Sequence, residues 1–522
     1  MISLFFMTDL TVVDGSFCGR RFSKERLSWY LYDGGVSVVS MLAMVMFVPI
    51  YLSSTATYAS TNGSPPPSCS SSSDASVPCQ ICLPGRGLRM KLGDVYSEFA
   101  GTVDFFGMSI NAKSFPTVTV TVSTVMQALL FITVGEFADK GSGRKRGLFI
   151  ASVIGQMSLL AFLLLSDPQA YASAAILAIV ANCCFGVSFV YYNAYLPVLV
   201  EADPCVDSKK SDEKVKAREI AQNRMSSLGF AAAYASSLLL AVLGACIHLT
   251  SGGSKPDNGF LTDRICIAMH GIWWALMSVP AWLWLKRRPG PSATGGKAQR
   301  IFSGWIAAWR LLKEAGRYPE TFKFLLCFLF YGDTINTVAI VGVLFATQEL
   351  CISTPTMALV LIEILLFATL GNLFYLYIYK RFNLNPKSIL LWILGVYCFV
   401  CFWGCLGLWS SQIGMRNEWE VFMFAAVHGF HTGSLQSFSR TMFADLIVPG
   451  REGQFFSLYQ ITDKGGSWLG PLVVTLIQNA TGSLRQGFVF LMVVTALSAI
   501  AFWFLVDHQK GMLQVGRNVN RL

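Results

Sequence analysis

The sequence predicts an all-α membrane protein with twelve transmembrane helices in two six-helix bundles. Apolar residues make up 53% of the 522 residues and charged residues only 13%, about half the charged share of soluble proteins. The apolar residues fall in blocks of twenty or more, long enough to cross a hydrocarbon layer of about 30 Å. The longest segment between these blocks on the predicted cytoplasmic side, 287–320, divides them six and six.

Twelve apolar blocks are predicted to span the membrane, and each is flanked by polar or charged residues. They lie at 29–52, 115–137, 146–166, 171–200, 223–249, 263–286, 321–347, 355–379, 388–409, 420–446, 454–478 and 484–506.

The basic residues predict the orientation. Most of the 40 Lys+Arg lie in the turns on the side of the termini, which predicts two cytoplasmic termini. Membrane topology therefore explains the net charge of +10 better than nucleic-acid binding does. The predicted organisation is a tail (1–28), an N-terminal bundle (29–286) with a lumenal loop (53–113), a linker (287–320), a C-terminal bundle (321–506) and a tail (507–522).

The lumenal loop 53–113 is rich in serine and proline and is predicted to be flexible. It contains Cys69, Cys79 and Cys82, which suggests one disulfide with a leftover thiol, whereas a zinc site would lack a fourth ligand. Asn62 and Asn479 begin Asn-X-Ser/Thr sequons on the same side and are candidates for glycosylation.

The turn after the second span reads GEFADKGSGRKR at 135–146. It resembles the major facilitator signature G-x-x-x-D-[RK]-x-G-[RK]-[RK], with one extra residue before the basic pair. In such a turn Gly135, Asp139, Arg144 and Lys145 form a gating latch, in which the carboxylate meets a helix amino end or an arginine until the bundles rock. The alternative is an ordinary basic cytoplasmic turn.

Five further blocks resemble the autophagy-related vacuole-effluxer family of major facilitator proteins. They read WYLYD at 29–33, FGVSFVYYNAYLP at 185–197, YGDTINT at 331–337, QSFSR at 436–440, and FFSLY through KGGSWLGP at 455–471. The resemblance implies a twelve-helix fold in a vacuolar or lysosomal membrane. It also implies export to the cytosol of amino acids released by autophagic degradation.

Ionisable residues within the spans are candidates for a substrate or proton pathway, because a charge facing lipid is costly. At 1.5 Å per residue, Asp333 lies about 18 Å into span seven, His431 about 16 Å into span ten and Asp463 about 14 Å into span eleven. Asp333, with Asn336 one turn beyond, is the best-placed group for a substrate ammonium or a proton. The alternatives are a carboxylate that pairs with another helix, and a histidine that only packs.

Span ten carries Gln436 and Arg440 on one helical face. The guanidinium is suited to hold a substrate carboxylate, or it is a structural partner of Asp445, Asp463 or a helix end. Asp33 lies at the start of span one among aromatic residues interpreted as an interfacial belt. It is either a further candidate for the substrate or proton pathway or a carboxylate that stabilises the helix amino end. On span four, the side chains expected either to line the pathway or to pack are those of Tyr191 and Asn193.

Other functional classes lack their motifs. The sequence has no G-x-x-x-x-G-K-[ST], H-E-x-x-H or G-x-S-x-G, so we predict neither an enzyme nor a metal or other cofactor. The expected partners are membrane lipids and a small molecule, amino acids and possible protons, and the chain is expected to be a monomer. The alternatives are a carrier of another solute (sugar, nucleoside or lysolipid) and a non-transporting receptor on the same fold.

Overall fold

The structure is a computed structural model that describes residues 23–61, 101–167, 169–209, 211–251, 256–291, 297–350, 352, 354–467 and 469–515. Most of these residues are helical, as their apolar composition predicts. Asn62, Cys69, Cys79 and Cys82 lie outside the described residues.

The first described helix of the N-terminal half is long, and nine residues in its middle are wound as a π-helix. Ser23 caps it by accepting the amide of Arg26. The elements of this half are α1 (Lys24–Val38), the π-helical segment (Val39–Phe47), α2 (Val48–Ser60), β1 (Thr102–Phe105), β2 (Met108–Asn111), α3 (Phe115–Asp139), α4 (Gly143–Leu160), a 3-10 turn (Ala161–Leu164), α5 (Tyr171–Glu201), α6 (Pro204–Asp207), α7 (Ser211–Thr250) and α8 (Pro256–Trp284).

The linker between the halves contains α9 (Lys297–Lys313) and a 3-10 turn (Glu314–Arg317). Several helices of the C-terminal half begin at a proline or a capping side chain; Asn385, for example, accepts the amide of Lys387. The elements of this half are α10 (Pro319–Gln348), α11 (Thr354–Phe382), α12 (Pro386–Leu406), α13 (Glu418–Asp445), α14 (Glu452–Gly466), α15 (Leu469–Thr481), α16 (Gln486–Leu505) and α17 (His508–Gln514).

The predicted spans coincide with these helices. In the described part of the chain, ten helices are long and apolar enough to cross a membrane. The remaining two predicted spans are 420–446, which coincides with α13, and 454–478, which coincides with the pair α14 and α15. These three helices are not among the ten selected by length and apolar composition. The total of twelve spans therefore stays a prediction.

Two predictions about local structure were wrong. The segment 454–478 is not one continuous helix, because α14 ends at Gly466 and α15 begins at Leu469. The loop 53–113 is not flexible throughout: residues up to Ser60 continue the first helix, and β1 pairs with β2 in an antiparallel hairpin. The sequon residue Asn479 lies exposed in the last turn of α15.

The two ends of the bundle differ. We call the end that carries the turn at 140–142, the amino end of α14 and the carboxyl end of α11 the basic end, and the opposite end, near β1 and β2, the hairpin end. A continuous set of buried apolar side chains runs through both halves.

Candidate functional site

The end of α3 contacts the amino end of α14, across the boundary between the halves. Asp139 accepts the amides of Gly453 (2.7 Å) and Gln454 (3.0 Å). The Arg144 guanidinium lies 3.3 Å from Asp139 and 3.1 Å from Glu452. A carboxylate that accepts the free amides of a helix amino end is favoured by hydrogen bonding and by the helix dipole. These groups join the halves at the basic end.

Gly135 lies one turn before Asp139 at the same crossing. A Cβ at this position would lie 2.4 Å from Ser457 Oγ and 3.0 Å from Ser457 Cβ of α14, so a larger residue would force the two helices or the serine side chain to shift. Lys145 takes no part in the contact between the halves, since its ammonium donates to the carbonyl of Leu285 within the N-terminal half.

One side chain of the C-terminal half, Arg440 of α13, enters a socket formed by three helices of the N-terminal half. Its Nη1 donates to Asp33 Oδ2 of α1 at 3.4 Å and to Asn193 Oδ1 of α5 at 3.3 Å. Its Nε and Nη2 donate to the hydroxyl and carbonyl of Ser226 of α7, at 2.9 and 3.0 Å. Arg440 is 1% exposed and Asp33 is fully buried. An ion pair between the halves is therefore enclosed in the protein.

The carboxylate of this pair is fully hydrogen-bonded. Tyr192 donates to Asp33 Oδ2 at 2.6 Å, and Ser37 donates to Asp33 Oδ1 at 2.8 Å. The amide nitrogen of Asn193, by contrast, has no hydrogen-bond partner although it is buried. A buried donor without a partner is uncommon in folded proteins and marks a place where another acceptor is favourable.

Aromatic rings surround the guanidinium. Its carbon lies 4.3 Å from the ring centroid of Phe230, 5.1 Å from Trp29 and 5.7 Å from Tyr192. Trp29 stacks on Tyr192 with ring centroids 4.4 Å apart. Cation–π contacts in a dehydrated site favour the charged guanidinium. The interpretation of Trp29, Tyr30 and Tyr32 as an interfacial belt was wrong, because all three are buried within the bundle.

A row of hydrogen bonds extends the contact between α7 and the C-terminal half. Ser226 and Ser227 contact Ser437, each at 2.9 Å. Further from the basic end, Tyr234 donates to Gln436 Oε1 at 3.1 Å. The pairs nearer that end are Gln222 to the Thr441 carbonyl, Thr441 to Asn223, Asn223 to Tyr379 and Tyr379 to Glu219.

The acids predicted at the midplane have partners other than Arg440. Half-buried Asp333 accepts the Gly470 amide at 3.0 Å, near the amino end of α15, so it contacts a helix of its own half. Asn336 follows it on α10 and is also half-buried. Asp463 pairs with its neighbour Lys464 at 3.3 Å. Neither Asp445 nor Asp463 is the partner of Arg440; Asp445 faces His508 at 3.3 Å.

The two remaining predicted residues have local surroundings. His431 Nδ1 lies 2.7 Å from the Val427 carbonyl, one turn earlier on α13. Tyr191 is buried against α4, where a Cβ on Gly147 would collide with its ring. The structure therefore brings Asp33, Asn193 and Arg440 into contact, and Gln436 lies one turn before Arg440 on α13. Asp333, Asp463 and His431 make their polar contacts with other groups.

The ion pair is buried and does not line the cavity found in the C-terminal half. A cavity of about 430 Å³ lies near the hairpin end of the C-terminal half, among side chains of α15 and α16, and neither Asp33 nor Arg440 lines it. Access to the pair therefore requires movement of one half against the other. Ser226, Tyr192 and Phe230 were not predicted as neighbours of Arg440, because no local signal pairs them with it.

Comparison with known proteins identifies the architecture. The chain resembles the solved structure of the human organic anion transporter MFSD10 with a TM-score of 0.61 at 12% identity, over 92% of this chain and all of that one. It resembles the proton:xylose symporter XylE with a TM-score of 0.59 at 13% identity, over 94% and 97%. These likenesses confirm the predicted major facilitator fold.

Relatives of similar sequence extend along the chain. Autophagy-related protein 22 of Coccidioides immitis is 29% identical over 541 residues, covering 94% of this chain and 87% of the relative. Autophagy-related protein 22-1 of Aspergillus fumigatus is 30% identical over 565 residues, covering 94% and 90%. The family described as "Vacuole effluxer Atg22 like" matches residues 22–516.

These findings confirm the resemblance seen in the sequence. They describe a multi-pass vacuolar membrane protein that transports a small molecule and is not an enzyme. The chain belongs to the Atg22-like family of vacuole effluxers.

Proposed function

We propose that this protein exports amino acids from the vacuole to the cytosol by alternating access of its two halves. The basic end faces the cytosol in this proposal, because the positive residues of the turns concentrate there. Both termini are then cytoplasmic, and the described conformation is the one closed toward the cytosol. Asp139, Arg144 and Gly135 act as the latch of that closed end.

The buried pair Asp33 and Arg440 is the observation that carries the proposal. The two opposite charges come from different halves and lie 3.4 Å apart. An amino acid carries the same two charges on one molecule. It replaces the pair without leaving either charge unpaired, with its ammonium on Asp33 and its carboxylate on Arg440.

This assignment changes the role expected of Asp333. Asp333 contacts the amino end of α15 and, in this proposal, keeps α14 and α15 in position. Asn193 offers its free amide hydrogen atoms to the substrate carboxylate, and Gln436 with Tyr234 lies on the route to the pair. We assign His431, Asn336, Asp463 and Tyr191 no contact with substrate.

The experiment measures efflux from proteoliposomes loaded with a labelled mixture of amino acids, with and without a pH gradient. We expect neutral amino acids to leave, and the effect of the gradient reports proton coupling. Asp33→Asn and Arg440→Gln abolish efflux, and Arg440→Lys lowers it because lysine lacks the planar fork. Asp207→Asn is the matched control, since that carboxylate is 77% exposed and pairs with Lys214 of its own half.

Competition separates recognition of a zwitterion from other functions. Leucine should inhibit the efflux of the labelled amino acids. Isoamylamine and 4-methylpentanoate should not inhibit it, because each carries only one of the two charges. Efflux of a sugar or nucleoside with no effect of leucine would contradict the proposal. Normal efflux by the Asp33→Asn variant would contradict the assigned site.

A further inference from the structure

The linker helix α9 lies across α3 and packs against it with one face. Gly304, Ala307 and Leu311 on this face are buried. A Cβ on Gly304 would lie 2.7 Å from the Thr133 carbonyl oxygen and 2.8 Å from that of Ile132, so the two backbones touch. This face accounts for the ordinary packing of the helix.

The opposite face of α9 is also apolar, and it is exposed. Its members recur at three- and four-residue intervals and so form one continuous strip. They are Phe302 (67% exposed), Trp305 (42%), Ile306 (49%), Trp309 (61%) and Leu312 (49%). A strip of this size with two tryptophans is unfavourable in water and typical of the membrane interface.

The position of α9 in the fold agrees with this environment. Trp305 Nε1 donates to Thr133 Oγ1 at 3.3 Å, and Thr133 lies six residues, about 9 Å, before the end of α3. The exposed strip therefore lies beside the last turns of a transmembrane helix. Val125, Met126 and Leu129 of α3 are themselves 45–57% exposed apolar residues, so the apolar surface continues from α3 toward α9.

Basic residues accompany the strip. Arg310, Lys313 and Arg317 are exposed, and they lie in the second half of α9 and in the turn that follows it. Positive charge at the edge of an apolar strip fits the negatively charged headgroups of a lipid leaflet.

The same segment reaches the contact between the halves. Glu314 pairs with Arg451 at 2.7 Å, immediately before α14. Gly304 and Ala308 line one small gap together with Gly135 of α3 and Gln454 of α14. Helix α9 therefore covers the place where α3 and α14 cross.

We propose that residues 297–317 lie in the lipid interface at the basic end, with the Phe302–Trp309 face in the acyl layer and Arg310, Lys313 and Arg317 on anionic headgroups. The partner is the bilayer, and the site is an interfacial helix attached to the crossing of α3 and α14. This inference concerns lipid contact and does not depend on which solute is transported.

Photo-crosslinking of the full chain in nanodiscs tests the inference. A benzophenone amino acid replaces Trp309 or Phe302, and nanodiscs contain equal amounts of phosphatidylcholine and phosphatidylglycerol. Replacement of Val125 is the lipid-facing control, and replacement of Glu213, whose side chain is 68% exposed near the basic end of α7, is the solvent-facing control. Intact mass identifies the adducts.

We expect the Trp309 and Phe302 positions to gain the mass of one phospholipid at a yield within about threefold of Val125, and Glu213 to gain none. A covalent dimer, or no lipid adduct where Val125 gives one, would overturn the inference. Neutralising the three basic residues (Arg310→Gln, Lys313→Gln, Arg317→Gln) should lower the phosphatidylglycerol share of adducts to that of the bulk lipid. The headgroup assignment would be overturned if the phosphatidylglycerol share of the adducts does not exceed that of the bulk lipid before these substitutions, or if the substitutions leave it unchanged.

Discussion

Replacing Asp33 by asparagine should favour the conformation that is open at the basic end. In the described conformation Arg440 would remain 1% exposed without its counter-charge. Removing one partner of a buried ion pair costs about 3–5 kcal/mol. Asparagine can still accept a hydrogen bond from the guanidinium, so we use the lower figure of about 3 kcal/mol. The ratio of open to closed molecules then rises about a hundredfold.

The measurement is the distance between the basic ends of α7 and α11 in nanodiscs. Fluorophores attached to non-natural residues at Glu213 and Arg381, both exposed, report it by energy transfer in single molecules. The wild-type protein should occupy mainly the short distance, and Asp33→Asn should move a large fraction to the long one.

A double variant checks the physical reason. Asp33→Asn with Arg440→Gln removes both charges and leaves no buried charge unpaired, so its distance distribution should lie closer to wild type than that of Asp33→Asn alone. Asp207→Asn should leave the distribution unchanged. If the ratio of open to closed molecules for Asp33→Asn lies within twofold of the wild-type ratio, the reasoning is refuted, because the ion pair would then contribute nothing to closure of the basic end.

Three further predictions concern the contacts between helices. Asp139→Asn weakens two hydrogen bonds to helix amides and the pairing with Arg144, which should raise the open fraction in the same distance measurement by about tenfold or more. Gly135→Val forces its side chain into Ser457, costs about 1–3 kcal/mol at the contact between the halves and should also open the basic end. Gly371→Ala places a Cβ 1.9 Å from the Phe430 carbonyl oxygen within the C-terminal half, so it should lower the melting temperature by several degrees in a detergent thermal-shift assay.

Matched glycines provide the controls. A Cβ on Gly465 of α14 or Gly395 of α12 meets no atom within 4 Å. Gly465→Ala should therefore leave the distance distribution unchanged, and Gly395→Ala should leave the melting temperature unchanged or raise it slightly. Equal effects of Gly371→Ala and Gly395→Ala would show that close approach of α11 and α13 does not limit stability.

The sequence predicts the helices well because their signal is local. A block of twenty apolar residues is sufficient to indicate a span. One partner of Asp139 is also local, since Arg144 follows five residues later, whereas the amides of Gly453 and Gln454 come from the other half. The break after Gly466 was missed, although Gly465 and Gly466 together are a sign of a weak point in a helix.

The partner of Arg440 could not be predicted in this way. Asp33 lies 407 residues away on a helix of the other half, and one sequence contains no signal that pairs them. The candidates considered, Asp445 and Asp463, were chosen for nearness along the chain. Only the packing of α1, α5 and α7 around α13 determines which carboxylate meets the guanidinium.

The aromatic enclosure of Arg440 has a consequence for ion leakage. A carrier with a continuous row of water molecules across the membrane would let protons leak through it. Such a leak would dissipate the pH gradient of an acidic vacuole. Close-packed rings leave little room for such a row beside Arg440, and a fixed positive charge repels protons and other cations, as it does in water channels. The arrangement that joins the two halves therefore also limits the leakage of ions through the protein between transport cycles.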